Sequence, residues 1–160
     1  MRTGRILAVF LLWGATLPAS DHLRAVRAWE TIAQSEALLE ALGAMARLAD
    51  TRSNSAEAAA FVLRDRAGFL SLAPWPDRWE RNRQTWAGRI PASAIAIVHT
   101  HPIDSPRLST GDCQLARSTG LPVFALSRWA IWMIEPDAEG PVAVVSRKSW
   151  IADSSQIARK

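Results

Sequence analysis

The run Ala94-Ile95-Ala96-Ile97-Val98 passes directly into His99-Thr100-His101-Pro102, and no other stretch restricts the chain as much. It is apolar, ends in β-branched residues and is closed by a proline, so it predicts a buried strand whose ladder stops at Pro102, which has no N–H to donate. Residues i and i+2 of a strand share a face. His99 and His101, two of the chain's three histidines, therefore aim their imidazoles at one point. The same spacing on a helix, with about 100° of turn per residue, would point them apart.

Six residues separate Pro102 from Ser109-Thr110-Gly111-Asp112. The intervening segment reads as a loop, and Ser109 as the start of a helix that stops at Gly120 with Pro122 just beyond. Asp112 falls in the first turn, where Ser-x-x-Asp is close to a capping box, and an N-cap role for Ser109 is compatible with a chemical one. The loop can fold Asp112 back over the histidines. Two neutral imidazoles and one carboxylate leave a fourth position for water, the arrangement of a catalytic rather than a structural zinc site. His99, His101 and Asp112 are thus the expected ligands of one Zn2+ ion.

The pattern His-x-His-Pro, six residues, Ser-x-x-Asp resembles the signature of the JAMM-type metallopeptidases of the JAB/MPN family, and it matches at the defining positions. The likeness spans about residues 56 to 126 and is most specific from His99 to Asp112. It implies an α/β fold with a mixed β-sheet, an N-terminal helix and a helix after the metal-binding strand. It also implies a zinc-dependent hydrolase acting on peptide or isopeptide bonds of a peptide or protein substrate. In that family a glutamate on an early strand is the general base, and Glu57 is the best-placed residue for it here; the motif serine, Ser109, would donate a hydrogen bond to the oxyanion. The chain departs from the family's pattern at Ala60, where glycine is frequent, and at Leu108, where proline is. The competing reading is a catalytically silent MPN-like binding or scaffold domain, whose mark would be a lost ligand or base. Other zinc chemistries fit less well, because His-Glu-x-x-His is absent and a nucleobase deaminase needs a cysteine pair.

The remaining chain is read around this centre. With 160 residues, of which 49% are hydrophobic and 21% charged, it can bury a core without disulfides. Residues 1–20 place two arginines before an apolar run and then small residues, the order of a secretory signal peptide, so the mature protein is expected outside the cytoplasm, periplasmic or extracellular. The apolar run is too short for a stable membrane span, which needs about 20 residues. Setting Arg2 and Arg5 aside leaves 17 basic against 15 acidic residues, a balance that calls for no nucleic-acid partner.

Residues 21–55 form an N-terminal helical segment of one or two amphipathic helices, with Gly43 as a weak point. A catalytic domain follows over residues 56–147, and a polar tail over 148–160. Around Glu57 local propensity pulls two ways, toward a helix started by Asn54 and toward a strand at Phe61 to Leu63; the family resemblance favours the strand. Asp65 to Gly68 reads as a turn, with Phe69 to Leu72 as the returning strand. Trp75, Trp79 and Trp86, interleaved with arginines, suit a short helix packing tryptophans on a core better than a stacking platform for nucleic acid. Leu121 to Leu126, Ala130 to Ile134 and Pro141 to Ser146 complete the strands. Cys113, the single cysteine, reads as a small buried hydrophobe pointing away from Asp112.

Overall fold

A computed structural model of the chain describes residues 19–51, 57–76, 86–101, 108–127 and 130–145. Helix α1, Ala19–Ala33, and helix α2, Glu36–Thr51, each bury one stripe. In α1 the stripe is Ala25, Trp29 and Ile32; in α2 it is Leu38, Leu42 and Ala46, all within 8% exposure. These spacings of three and four residues are those of an amphipathic helix. The segment is therefore two helices, and the break lies at Gln34-Ser35 rather than at Gly43, which is buried inside α2. Ser35 supplies the physical reason: its hydroxyl accepts from the Leu38 amide at 3.3 Å, an N-cap bond that restarts the helix.

Six strands follow: β1 Ala59–Arg64, β2 Leu70–Pro74, β3 Ala94–Thr100, β4 Val123–Leu126, β5 Ile131–Ile134 and β6 Val142–Val145. They form one mixed sheet in the order β2-β1-β3-β4-β5-β6. Only β3 and β4 run parallel, joined by helix α3, Thr110–Thr119; every other pairing is antiparallel. Helices α1 and α2 cover one face, where Trp29 meets Phe124 at 6.1 Å and Val62, Val98 and Met133 are sealed. On the opposite face α3 packs through Ala116 onto a second core with Ala59, Phe61, Ile97, Val123 and Ala125. A sheet covered on both faces needs apolar residues at consecutive positions, which is why β4, Val-Phe-Ala-Leu, is buried throughout.

The hairpin turns at Asp65, whose carboxylate accepts from the Ala67 and Phe69 amides at 2.8 and 2.9 Å. Gly68 takes the left-handed conformation there, with φ 91°. Because Phe69 returns its carbonyl to the Asp65 amide, it belongs to the turn and stands 74% exposed, so the strand starts one residue later than its apolar character suggests. Trp75 and Trp86 close on Phe61, at 5.3 and 5.1 Å between ring centroids, and Trp75 is buried. That agrees with tryptophans packed on a core, while Trp79 and the expected helix about it lie outside the described residues. So do the segment expected to be a signal peptide, up to residue 18, and the polar tail.

Candidate metal centre

The site is built at the C-terminal end of β3 by three neighbours, each for a reason of register. His99 lies opposite Ala59 of β1 on one side and Ala125 of β4 on the other. Two alanines flanking it leave an imidazole room to stand over the sheet, and His99 is 6% exposed. His101 follows two residues on, its amide held by the Leu126 carbonyl at 2.9 Å, so it projects to the same side. The ring centroids of the two imidazoles are 4.7 Å apart.

Asp112 arrives from α3. Ser109 is the N-cap of that helix and forms the full capping box with Asp112: its hydroxyl accepts from the Asp112 amide at 3.3 Å, and Asp112 Oδ2 accepts from the Ser109 amide and hydroxyl at 2.6 and 2.7 Å. Leu108 and Ala116, both buried, press the helix onto the sheet and fix the height of its first turn. The other carboxylate oxygen, Oδ1, faces His99 Nε2 at 3.1 Å, and Oδ2 faces His101 Nε2 at 3.5 Å.

The donors suit a metal ion. One atom from each of His99, His101 and Asp112 lies within 4.8 Å of the other two, and tetrahedral donors at bond lengths of about 2.0–2.2 Å stand roughly 3.3–3.6 Å apart. His99 Nε2 is buried and makes no hydrogen bond, although Asp112 Oδ1 is so near. An orphaned buried nitrogen beside an unaligned carboxylate is costly by itself, and is what two ligands of a common third centre look like. Burial alone would raise the Asp112 carboxyl, but the His101 and His99 imidazoles and the Ser109 amide outweigh it and hold the group well below the ordinary carboxylate range. It is an anion at every ordinary pH.

Glu57 stands just before β1. Continuing the register from Ala59 and His99 by two positions sets it opposite His101, on the face that carries both imidazoles. Its pKa is raised, chiefly because burial penalises the carboxylate; the two imidazoles pull it down and the Asp112 charge pushes it up. The structure thus gathers all the residues singled out in the sequence: His99, His101 and Asp112 as a donor set, Glu57 within their field, and Ser109 against Asp112. Cys113 is half-buried against the α3 core, not fully buried as its reading as a small hydrophobe suggests, and it does not join the donor group.

Two features of the site carried no signal strong enough to notice in the sequence. Ala59 and Ala125 matter because they face His99, a fact of pairing and not of composition. Thr100 is 2% exposed, and its hydroxyl accepts from the Ala58 amide; its position between the two histidines was the only hint. No helix among the described residues is long and apolar enough to cross a membrane. No family model, curated protein or solved structure matches the chain.

Proposed function

We propose that the chain is a zinc-dependent hydrolase of the JAMM type, with the JAB/MPN arrangement of sheet and motif helix, cleaving peptide or isopeptide bonds. The observation that carries this reading is the meeting of buried His99, His101 and Asp112 donors within 4.8 Å of one another. These three residues would hold the zinc. When bound, zinc supplies a Lewis acid that lowers the pKa of a water molecule and polarises a carbonyl oxygen.

The chain's own residues do the rest. Glu57, with its raised pKa, is a stronger base than an exposed glutamate; it takes a proton from the attacking water and delivers it to the leaving amine. Ser109 keeps Asp112 in place through two bonds to Oδ2, leaving Oδ1 turned toward His99. Its hydroxyl proton, by rotating away from Oδ2, donates to the oxyanion of the tetrahedral intermediate, and the Ser109 amide alone then holds Asp112. Glu57 is half-buried and His99 buried, so the electrostatic interactions between them are stronger than they would be in bulk water.

Replacing Glu57 by glutamine tests the reading. The amide preserves shape and leaves the ligand set untouched, so zinc stoichiometry should persist while hydrolysis falls by about 10²- to 10⁴-fold, the share general acid–base catalysis supplies. Loss of zinc in that variant would make Glu57 a ligand, and full activity with zinc retained would move the base elsewhere, with Asp104 of the motif loop next in line. A silent binding domain gives no hydrolysis in either form.

A further inference from the structure

The amide of Ala58 makes a bond that an ordinary ladder does not contain. Ala58 and Thr100 face each other one position beyond the Ala59 and His99 pair, and the Thr100 amide donates to the Ala58 carbonyl at 2.9 Å. In a hydrogen-bonded antiparallel pair the return bond runs from the second amide to the facing carbonyl. Here the Ala58 amide donates to the Thr100 hydroxyl instead, at 2.9 Å. A side chain has taken the place of a backbone oxygen at the residue next to Glu57.

Thr100 is almost wholly buried, 2% exposed, so water has little access to its hydroxyl. It is also β-branched, so its χ1 is stiff and the hydroxyl oxygen has a defined position. The strand that carries it is anchored on both sides, to β1 and to β4. Beyond this bond β1 ends, and the next residue outward is Glu57.

We infer that Thr100 is a positioning residue for Glu57: its hydroxyl fixes the backbone at Ala58 and thereby sets where the Glu57 carboxylate stands against His99, His101 and Asp112. The catalytic consequence rests on the role proposed for Glu57, whereas the structural one rests on the β1–β3 pairing alone. Valine has the shape of threonine and no acceptor. In Thr100→Val the Ala58 amide must close onto the facing carbonyl or lose its partner, and either outcome moves the chain beside Glu57. A displacement of about 1 Å in a reacting group can cost about 10²-fold in rate.

The experiment compares the full chain with Thr100→Val, Thr100→Ala and Thr100→Ser, each also made in the Glu57→Gln background. Three quantities are read: hydrogen exchange of the Ala58 amide by NMR in the zinc-free protein, zinc stoichiometry, and hydrolysis of an internally quenched peptide and of its lysine-isopeptide counterpart. The valine and alanine variants should exchange Ala58 faster, keep one zinc, and lose about 10- to 100-fold in kcat with little change in KM. Serine should restore both exchange protection and kcat, and in the Glu57→Gln background the valine substitution should cost nothing further. Unchanged Ala58 exchange in both variants that lack the hydroxyl overturns the inference. So does an equal loss of kcat with and without Glu57, which would mean that Thr100 acts through the histidines, and so does loss of zinc. If no form hydrolyses either probe, the hydrolase reading fails, and the exchange rates alone decide: faster exchange in valine and alanine with rescue by serine sustains the positioning role, and equal rates overturn it.

Discussion

At the scale of single residues the site is a set of polar groups that satisfy one another incompletely, and its measurable properties follow from that. Removing either end of the donor set, by His99→Ala or Asp112→Ala, should abolish stoichiometric zinc binding, read by elemental analysis of the dialysed protein; a full equivalent in both variants would place the ligands elsewhere. Asp112 also has a titration of its own in the metal-free protein. Its folded-state pKa lies below the ordinary aspartate value because the His101 and His99 imidazoles and the Ser109 amide outweigh the burial penalty. Its stabilising contribution is therefore complete above that value and drains away as pH falls below it. The stability advantage of the zinc-free wild type over Asp112→Asn should be largest above about pH 4 and shrink under it. An advantage that stays constant through the acid range would mean that Asp112 is not held as an anion by these partners. The residue types were all legible in advance, since His99, His101, Ser109 and Asp112 announce themselves by spacing. Glu57 was not legible from its own surroundings, where alanines on both sides fit a helix start as well as a strand; the family resemblance singled it out, and the register of β1 on β3 sets it opposite His101.

At the scale of elements, the motif helix and the flanking strands turn residue spacing into geometry. Helix α3 runs from the Ser109 cap to Gly120, which sits at φ 68° with open space where a side chain would go. Gly120→Ala is therefore strained by conformation alone and should cost about 1 kcal/mol in denaturant unfolding, with zinc binding unchanged because the capping box at the other end is untouched. Zinc loss in that variant would mean that Asp112 depends on the whole helix and not on its first turn. The alanines beside His99 make the opposite case. Ala125 is fully buried and faces His99 directly, so Ala125→Leu should overpack the strand end, weaken zinc binding and cost about 1–3 kcal/mol in stability. Isothermal titration with zinc on the refolded variant checks it, and undiminished affinity would show that the space about His99 is not needed. The helix boundaries were written in the chain because caps are local chemistry. The break between α1 and α2 was equally local, at Ser35, but Gly43 drew attention because glycine is a weak helix former wherever it falls; buried in α2, it is tolerated.

For the molecule as a whole, export remains the proposal with the most direct test. Among the described side chains of α1, the buried stripe is Ala25, Trp29 and Ile32, and all three lie beyond a cleavage near Ser20 or Asp21. Mass spectrometry of the exported protein should find that N-terminus, and an intact Met1 on a membrane-bound form would sink the proposal. The sequence by itself determined the ingredients: a strand that ends in two histidines, a capped helix bearing an acid in its first turn, amphipathic helices before them, and the short strands after them. Each of these is an interaction between residues close in the chain, for which hydropathy period, caps and turn residues are sufficient. Only the tertiary structure decided that β1 lies antiparallel beside β3, which brings Glu57 across from His101 over a gap of more than forty residues. It decided likewise that Ala59 and Ala125 flank His99 and that the Thr100 hydroxyl captures the Ala58 amide. Strand partners are selected by the fit of whole faces against two cores, a sum over many weak contacts that no single stretch of the chain contains.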